Sequence, residues 1–363
     1  MRVIHVAPTP FGSGGLLGGG ERYPLELARA LATEVDCELI SFGPRPLRIR
    51  EPGGLRVRVL RARTYLHGHP AHPVAPDLPA ALRHADLVHT HHLRSTPSRV
   101  AALAARARRQ RLVVTDHGLQ GGDWAGLLPR LFDRFLAVSA YSARELHSPP
   151  RRTQVIYGGA DPQRYRPDPA LRRDGVLFVG RITPHKGVDR LIAALPPGAR
   201  LQIAGSTGHD PHLPERDYPQ LLQRLAAGRD VAFLGPVADA DLPALYRQAR
   251  VLVLPSVHRT CYGRVIRVSE LLGLVILEAM ASGTPVICSR LGGIPEIVQH
   301  GVTGFLIEPG NVAELRARLA ELLQDPILAA RMGRNARDLV LERFTWRKCA
   351  ERCLAVYADL LQR

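Results

Sequence analysis

Lysine is almost missing from this 363-residue chain: only Lys186 and Lys348 stand among 49 basic residues, and every other is arginine. GC-rich coding accounts for that bias, and against it a lysine needs a reason more than an arginine does. Aromatics are scarce too, with two Trp and eight Phe. That argues against a nucleic-acid binder built on stacking platforms, and no recognised binding motif appears. The five cysteines form no CxxC and no even framework, so neither a structural zinc nor a disulfide scaffold is expected. Nowhere do eighteen uncharged apolar residues run together, which leaves no membrane span to expect. The opening MRVIHVAP reads as a strand and not as a basic start plus an apolar h-region. The expectation is a cytoplasmic chain without a signal peptide.

What is present is ordinary globular composition, 45% hydrophobic and 23% charged, at a length suited to two domains. A formal charge of +16 favours anionic partners such as phosphates, acidic glycans or lipid head groups. Strand and helix patterns alternate from the first residue. MRVIHVAP, CELISFG, ADLVHTHH, RLVVTDHG and RFLAVSAYS read as parallel strands that deliver polar residues at their carboxyl ends. The segments ERYPLELARALATE and SRVAALAARARRQ have helical spacing. The Pro- and Arg-rich stretch from Arg164 to Gly175 carries no period and reads as a linker. Beyond it the pattern restarts: GVLFVGR, ARLQIAG, VLVLPS and TPVICS as strands, with VDRLIAAL, DLPALYRQA and LVILEAMASG as helices. The expected fold class is therefore α/β, with two Rossmann-like doubly wound domains facing a cleft. The expected bounds are 1–168 and 169–340, followed by an amphipathic helix, 341–363, that packs back on the N-terminal domain.

Two segments carry chemistry. In SELLGLVILEAMASGTPVI, Glu270 precedes a glycine turn and Glu278 falls five residues into the next helix. Free N–H groups at Gly273, Leu274 and Val275 would seat a phosphate, with a carboxylate on either side to take hydroxyl hydrogen bonds. That layout suits a nucleoside diphosphate bonded to a sugar. In VLFVGRITPHKGVDRLI, Arg181 and Lys186 flank a loop at a strand end, where a diphosphate leaving group needs positive charge.

GRITPHKG, the spacing from Glu270 to Glu278, and GGIPEIVQHGVTGFLIEPGN together make the chain resemble the family 4 retaining glycosyltransferases of GT-B fold. AVSAYSARELH, VIYGGADPQRYRP and FTWRKCAERCLAVY fall in the same family order, so the resemblance runs nearly end to end. It implies a hexose-type transfer from a nucleotide sugar, UDP-sugar first and GDP-mannose next, to a hydroxyl acceptor in glycan, lipid-linked or natural-product assembly. By that resemblance Arg181 and Lys186 bind the donor diphosphate, Glu278 the ribose and Glu270 the sugar hydroxyls, and His117 lies near the reacting sugar. Gly19 and Gly20 match the N-terminal loop that closes over the donor and acceptor. Gly205, Ser206 and Val237 lie near the base. No metal or other cofactor is implied, and no obligate protein partner.

Some residues stay open. His91 and His92 in VHTHHL are acceptor-side candidates; His89 and His91 share a strand face, but no acidic partner follows at metal-ligand spacing. Asp239 and Asp241 read as a helix start with Pro243 in its first turn, not as a metal pair. Residues 257–269 are an insertion of about ten residues relative to the family pattern, and Leu271–Leu272 replace its usual Pro-Phe. The insertion carries His258, Arg259, Tyr262, Arg264 and Arg267, and is expected to hold an anionic acceptor or to act as a flap. At Tyr157 the family commonly has asparagine. The basic runs Arg45–Arg63 and Ser98–Leu112 are candidates for peripheral contact with an anionic membrane. The alternatives are a non-catalytic nucleotide-sugar-binding relative and an NAD-dependent Rossmann enzyme. Glu38, read at the end of the second strand, would be the ribose partner of the latter, but GSGGLLGGGE fits no G-x-G-x-x-G in register.

Overall fold

The computed structural model describes residues 1–10, 19–119, 121–207 and 217–362. The chain divides into two compact units, Met1–Gly158 with Trp346–Arg363, and Gly159–Thr345.

The first unit is built on an eight-stranded sheet. Its strands are β1 (Arg2–Pro10), β2 (Asp36–Gly43), β3 (Leu47–Arg50), β4 (Arg56–Arg61), β7 (Leu87–His91), β8 (Arg111–Thr115), β9 (Arg134–Ala137) and β10 (Thr153–Val155); β5 (Thr64–Tyr65) and β6 (Pro73–Val74) pair separately. The order is β10-β9-β8-β7-β1-β2-β4-β3, parallel except for the β3–β4 edge. Val3, Ile4, Val6, Leu87, Val88, Val113 and Val114 are fully buried, as strands covered on both faces require. β4 alternates Arg with Val and keeps its valines inside. Order reverses between β1 and β7, so their carboxyl ends form a switch point, where ligands of such sheets bind. Ser95 caps the helix Thr96–Ala107 by accepting from Ser98 N, and Ser139 with Ser142 forms a capping box on Ala140–Glu145.

The helix Trp346–Gln362 buries Trp346, Cys349, Cys353, Tyr357 and Leu360, a stripe at spacings of three and four. It lies on the helix Gly19–Ala32, where Trp346 meets the Tyr23 ring edge-on at 5.1 Å. The Tyr23 hydroxyl donates to the carbonyl of Tyr157, which holds φ +59, a left-handed conformation that asparagine adopts more readily.

The second unit has strands β11 (Asp174–Val179), β12 (Leu201–Ala204), β13 (Val231–Gly235), β14 (Ala249–Leu254), β15 (Val286–Ser289) and β16 (Gly304–Ile307). All are parallel, in the order β13-β12-β11-β14-β15-β16, with the switch point between β11 and β14. The units part at Gly158–Gly159, ahead of the expected 168/169. Residues 160–167 pack into the second unit: Ala160 N donates to Phe344 O at 2.9 Å, Arg164 pairs with Asp239 at 2.7 Å, and Tyr165 meets Tyr246 edge-on. The helix Pro326–Arg343 also belongs to the second unit, so the return to the first unit comes at Trp346 and not at residue 341.

Candidate active site

In the second unit the β11/β14 switch point assembles the strongest constellation. After Gly180 the chain runs beside the end of β12, with Ile182 N donating to Ser206 O at 2.8 Å. It then makes a 3₁₀ turn, Pro184–Lys186, that ends at Gly187 with φ +70. A Cβ there would lie 2.1 Å from Pro255 O, so only glycine lets this loop rest on the end of β14. The close approach brings Lys186 over Ser256 and Glu270. Lys186 Nζ donates to Glu270 Oε1, and Ser256 Oγ donates to the same oxygen at 2.7 Å. Burial alone would push the Glu270 carboxyl up. The Lys186 charge and hydrogen bond, joined by the Ser256 hydroxyl, outweigh it and hold the group below its usual range, hence ionised. The Glu270 carbonyl is fixed in turn by Gly293 N at 3.0 Å. Arg181, exposed just past the end of β11, lies close enough to His185 to help lower its pKa.

The eight-residue helix Leu274–Ala281 starts from Gly273, which holds φ +101. Its first N–H groups, at Leu274 and Val275, have no intrahelical acceptor by position and are free to meet an anion. Glu278 is buried and accepts from the Tyr246 hydroxyl at 2.8 Å. Gly205 N donates to Gly235 O at 2.8 Å, which places Gly205 and Ser206 beside the end of β13; Val237 follows two residues later, half-buried. Arg181, Lys186, Ser206, Glu270 and the Gly273 turn thus all stand at the carboxyl edge of one sheet.

Sequence reasoning missed Tyr246, Ser256 and His185. Burial pushes His185 down to about 4, with Lys186 adding to the effect, and its Nδ1 lies 3.1 Å from Thr183 Oγ1. A polar residue just past an apolar strand and its proline is the available signal for Ser256; none marks Tyr246.

The 257–269 insertion is a small hairpin. Arg259 bridges Val265 in antiparallel fashion, Ile266 N donates to His258 O at 2.7 Å, and Gly263 turns the tip with φ +80. The Tyr262 hydroxyl donates to Asp217 Oδ1 at 2.7 Å, tying the tip to the start of the helix Tyr218–Ala226. That anchor is at odds with a free flap. Arg259, Arg264 and Arg267 remain exposed. Tyr262→Phe is expected to cost at most about 1 kcal/mol, read as a small fall in Tm, because the lost bond is solvent-facing.

In the first unit the β1/β7 switch point gathers Gly20, His91, His92 and His117. A Cβ on Gly20 would lie 3.6 Å from His92 Cε1 and 3.8 Å from His117 Cβ; Gly19 and Gly20 open their helix. The glycines at 12, 14 and 18 lie outside the described residues. His91 is fully buried between His5 and His117, so it cannot touch an acceptor, which corrects that assignment. His92, at φ +63, is half-buried with its ring 5.0 Å from that of His117. His5, unnoticed in the sequence, joins His89 and His91, and the three offer nitrogens within 4.8 Å of one another.

Other expectations also shift. Glu38 is not at the end of β2 but in its first half, buried and ion-paired with Arg2 at 3.0 Å, so it offers no ribose contact. Asp241 is the N-cap of the helix Leu242–Gln248 but makes no side-chain cap bond, and Asp239 pairs with Arg164. In the basic runs, Arg56, Arg58 and Arg106 pair with Asp36, Glu38 and Asp133, while Arg45, Arg48, Arg50, Arg61 and Arg63 are exposed. Among the described residues, no helix is long and apolar enough to cross a membrane.

Family models match both units: Glycosyltransferase Family 4 over residues 17–164, and Glycosyl transferases group 1 over residues 163–339. The D-inositol 3-phosphate glycosyltransferase of Streptomyces bingchenggensis is 30% identical over 100% of this chain and 89% of its own. The GDP-mannose-dependent alpha-(1-6)-phosphatidylinositol monomannoside mannosyltransferase of Mycobacterium tuberculosis is 34% identical over 72% of this chain and 73% of its own. Among solved structures, sucrose-phosphate synthase from Thermosynechococcus elongatus superposes with a TM-score of 0.76 at 22% identity, covering both chains in full. Anabaena HepE in complex with UDP-glucose gives 0.75 at 22% identity, over 99% of this chain and 100% of that one. These likenesses show two Rossmann-like domains of the GT-B fold. The chain belongs to family 4 of the glycosyltransferases.

Proposed function

We propose that the chain is a retaining enzyme that moves a hexose-type sugar from a nucleoside diphosphate to a hydroxyl acceptor. The observation that carries the reading is the Lys186–Glu270–Ser256 cluster at the β11/β14 switch point, with a helix N-terminus next to it and Arg181 exposed just past the end of β11. Two cations and a row of N–H groups match a diphosphate, and an ionised carboxylate beside them matches sugar hydroxyls.

Arg181 and Lys186 act on the negative charge that develops as the bond to the leaving phosphate breaks, and no metal shares that work. The leaving phosphate accepts the proton of the incoming hydroxyl on the same face, which retains configuration without a covalent nucleophile. Glu270 holds the donor sugar, Glu278 the ribose, and His117 approaches the reacting sugar. A UDP-sugar is the first donor to try, in line with the HepE complex, and GDP-mannose the second, in line with the Mycobacterium relative. The work is cytoplasmic, and the exposed arginines from Arg45 to Arg63 are where an anionic membrane surface would be met.

A thermal-shift panel of UDP, GDP, ADP and NAD tests the reading. A ligand at 100 times its Kd adds about 2.7 kcal/mol, enough to raise Tm by a few degrees. One nucleoside diphosphate should shift the protein; NAD alone shifting it would overturn the assignment. Glu278→Gln keeps a partner for Tyr246 but removes the charge, and is expected to weaken that diphosphate's affinity by about 10–100-fold in calorimetry.

A further inference from the structure

Strand pairing sets His5 of β1 opposite His89 of β7, and the two-residue strand period puts His91 on the same face. The three imidazoles are fully buried, with centroids 4.6 Å apart for His5–His89 and for His89–His91. His117, just past the end of β8, is half-buried. His5 Nδ1 lies 3.1 Å from His91 Nε2, and His91 Nδ1 lies 3.3 Å from His117 Nε2. Two hydrogen bonds therefore run in line from the core to the half-buried ring. His89 stands beside this line, pinned at both nitrogens by the Tyr357 hydroxyl (2.6 Å) and Thr115 Oγ1 (2.8 Å).

Counting protons gives the line a direction. Burial lowers His5 to about 3 and holds His91 and His117 well below their usual range, so each ring carries one proton near neutral pH. A neutral imidazole has one donor and one acceptor nitrogen, and His91 is bonded through both, so the two bonds must point the same way. Pointing inward, they would leave an N–H on His5 Nε2; pointing outward, they leave a bare lone pair there. That atom is buried without a partner. Buried backbone N–H groups are left orphaned more rarely than acceptors are, and the same order applied to the imidazole selects the outward direction. His5 Nδ1–H then donates to His91, and His91 Nδ1–H donates to His117 Nε2.

We propose that His5 and His91 are positioning residues for His117: their hydrogen-bond line commits His117 Nε2 as an acceptor and puts its proton on Nδ1, so the group it offers a ligand is an N–H donor. The inference rests on the function proposed above only for what His117 meets; the tautomer stands independently of it. The test is a long-range proton–nitrogen correlation spectrum of the full chain labelled with ¹⁵N-histidine at neutral pH. Protonated Nδ1 and bare Nε2 are expected at His5, His91 and His117. A protonated Nε2 at His117 overturns the proposal, as does stoichiometric zinc uptake that breaks the His5–His91 bond, since the clustered nitrogens would then be ligands.

Two variants separate positioning from packing. His91→Phe keeps a ring but no donor; Nε2–H should appear at His117 and kcat should fall about tenfold with donor KM little changed. His91→Asn, whose amide nitrogen stands where Nδ1 stood, should restore the Nδ1–H form and most of kcat. A fall in Tm with the His117 tautomer unmoved in His91→Phe would mean a purely structural role. If the tautomers are as expected but His117→Ala is fully active, the hydrogen-bond line survives and the assigned role of His117 fails.

Discussion

Lys186→Ala is expected to reverse the pH dependence that Glu270 lends to the second unit's stability, besides lowering kcat by about 10²–10³-fold. In the native protein Glu270 lies below its ordinary carboxylate range despite burial, because Lys186 outweighs the loss of solvent. A depressed acid contributes stability that is present above its unfolded pKa and lost as pH falls through the folded one. Without the ammonium only the Ser256 hydroxyl and the nearby His185 oppose desolvation, and the folded pKa of Glu270 rises above the unfolded value. The variant then loses stability as pH rises through the carboxylate range. Breaking a buried ion pair from one side costs about 3–5 kcal/mol at neutral pH. The stability difference between variant and native, read from urea midpoints between about pH 3 and pH 7, should therefore widen as pH rises. The double variant Lys186→Met/Glu270→Gln removes both charges, and should recover the stability but not the turnover. A loss confined to KM would show that Lys186 binds the donor without acting on the transition state.

Gly205→Ala should be more damaging to the fold. Gly205 holds φ +148, and a Cβ there would sit 1.8 Å from Gly180 O, a carbonyl fixed at the end of β11. Neither backbone can yield without parting β11 from β12, whose edge carries Arg181 and Ser206. A loss beyond about 4 kcal/mol is expected, seen as a collapse of the urea midpoint and rapid proteolysis within 159–345. Gly198→Ala is the control: it holds φ +73 with nothing within 4 Å of the added carbon, so only the backbone cost of about 1–2 kcal/mol applies. Equal effects from the two would mean that the close approach to Gly180 is not what demands glycine.

What could be read in the sequence was local. The apolar runs that became β1, β7, β11 and β14, the helix after Gly273, and the loop carrying Arg181 and Lys186 each depend on residues within about a dozen positions. Features made by pairing distant segments left no such trace. His5 looks like one polar residue in an apolar strand until β1 meets β7 and sets it against partners 84 and 86 residues away. Tyr246 becomes the partner of Glu278 only when two helices 32 residues apart in sequence pack together. The unit boundary was displaced because Ala160 is held by Phe344, near the opposite end of the chain. Glu38 was misread because a strand's carboxyl end cannot be located when its first residues are also polar.

The return of the helix Trp346–Gln362 to the first unit bears on how the molecule is made. A ribosome delivers residues 1–158 first, yet the helix that covers Tyr23 and supplies Tyr357 to His89 arrives last. At about 5–20 residues per second, the intervening segment takes about 10–40 s to emerge. Through that interval the earlier-made half waits with an apolar face uncovered, while the later-made half has its whole sequence as soon as Thr345 is out. Completion therefore runs against the order of synthesis: the second unit can close on its own, and the first is finished only by the helix Trp346–Gln362, made after it.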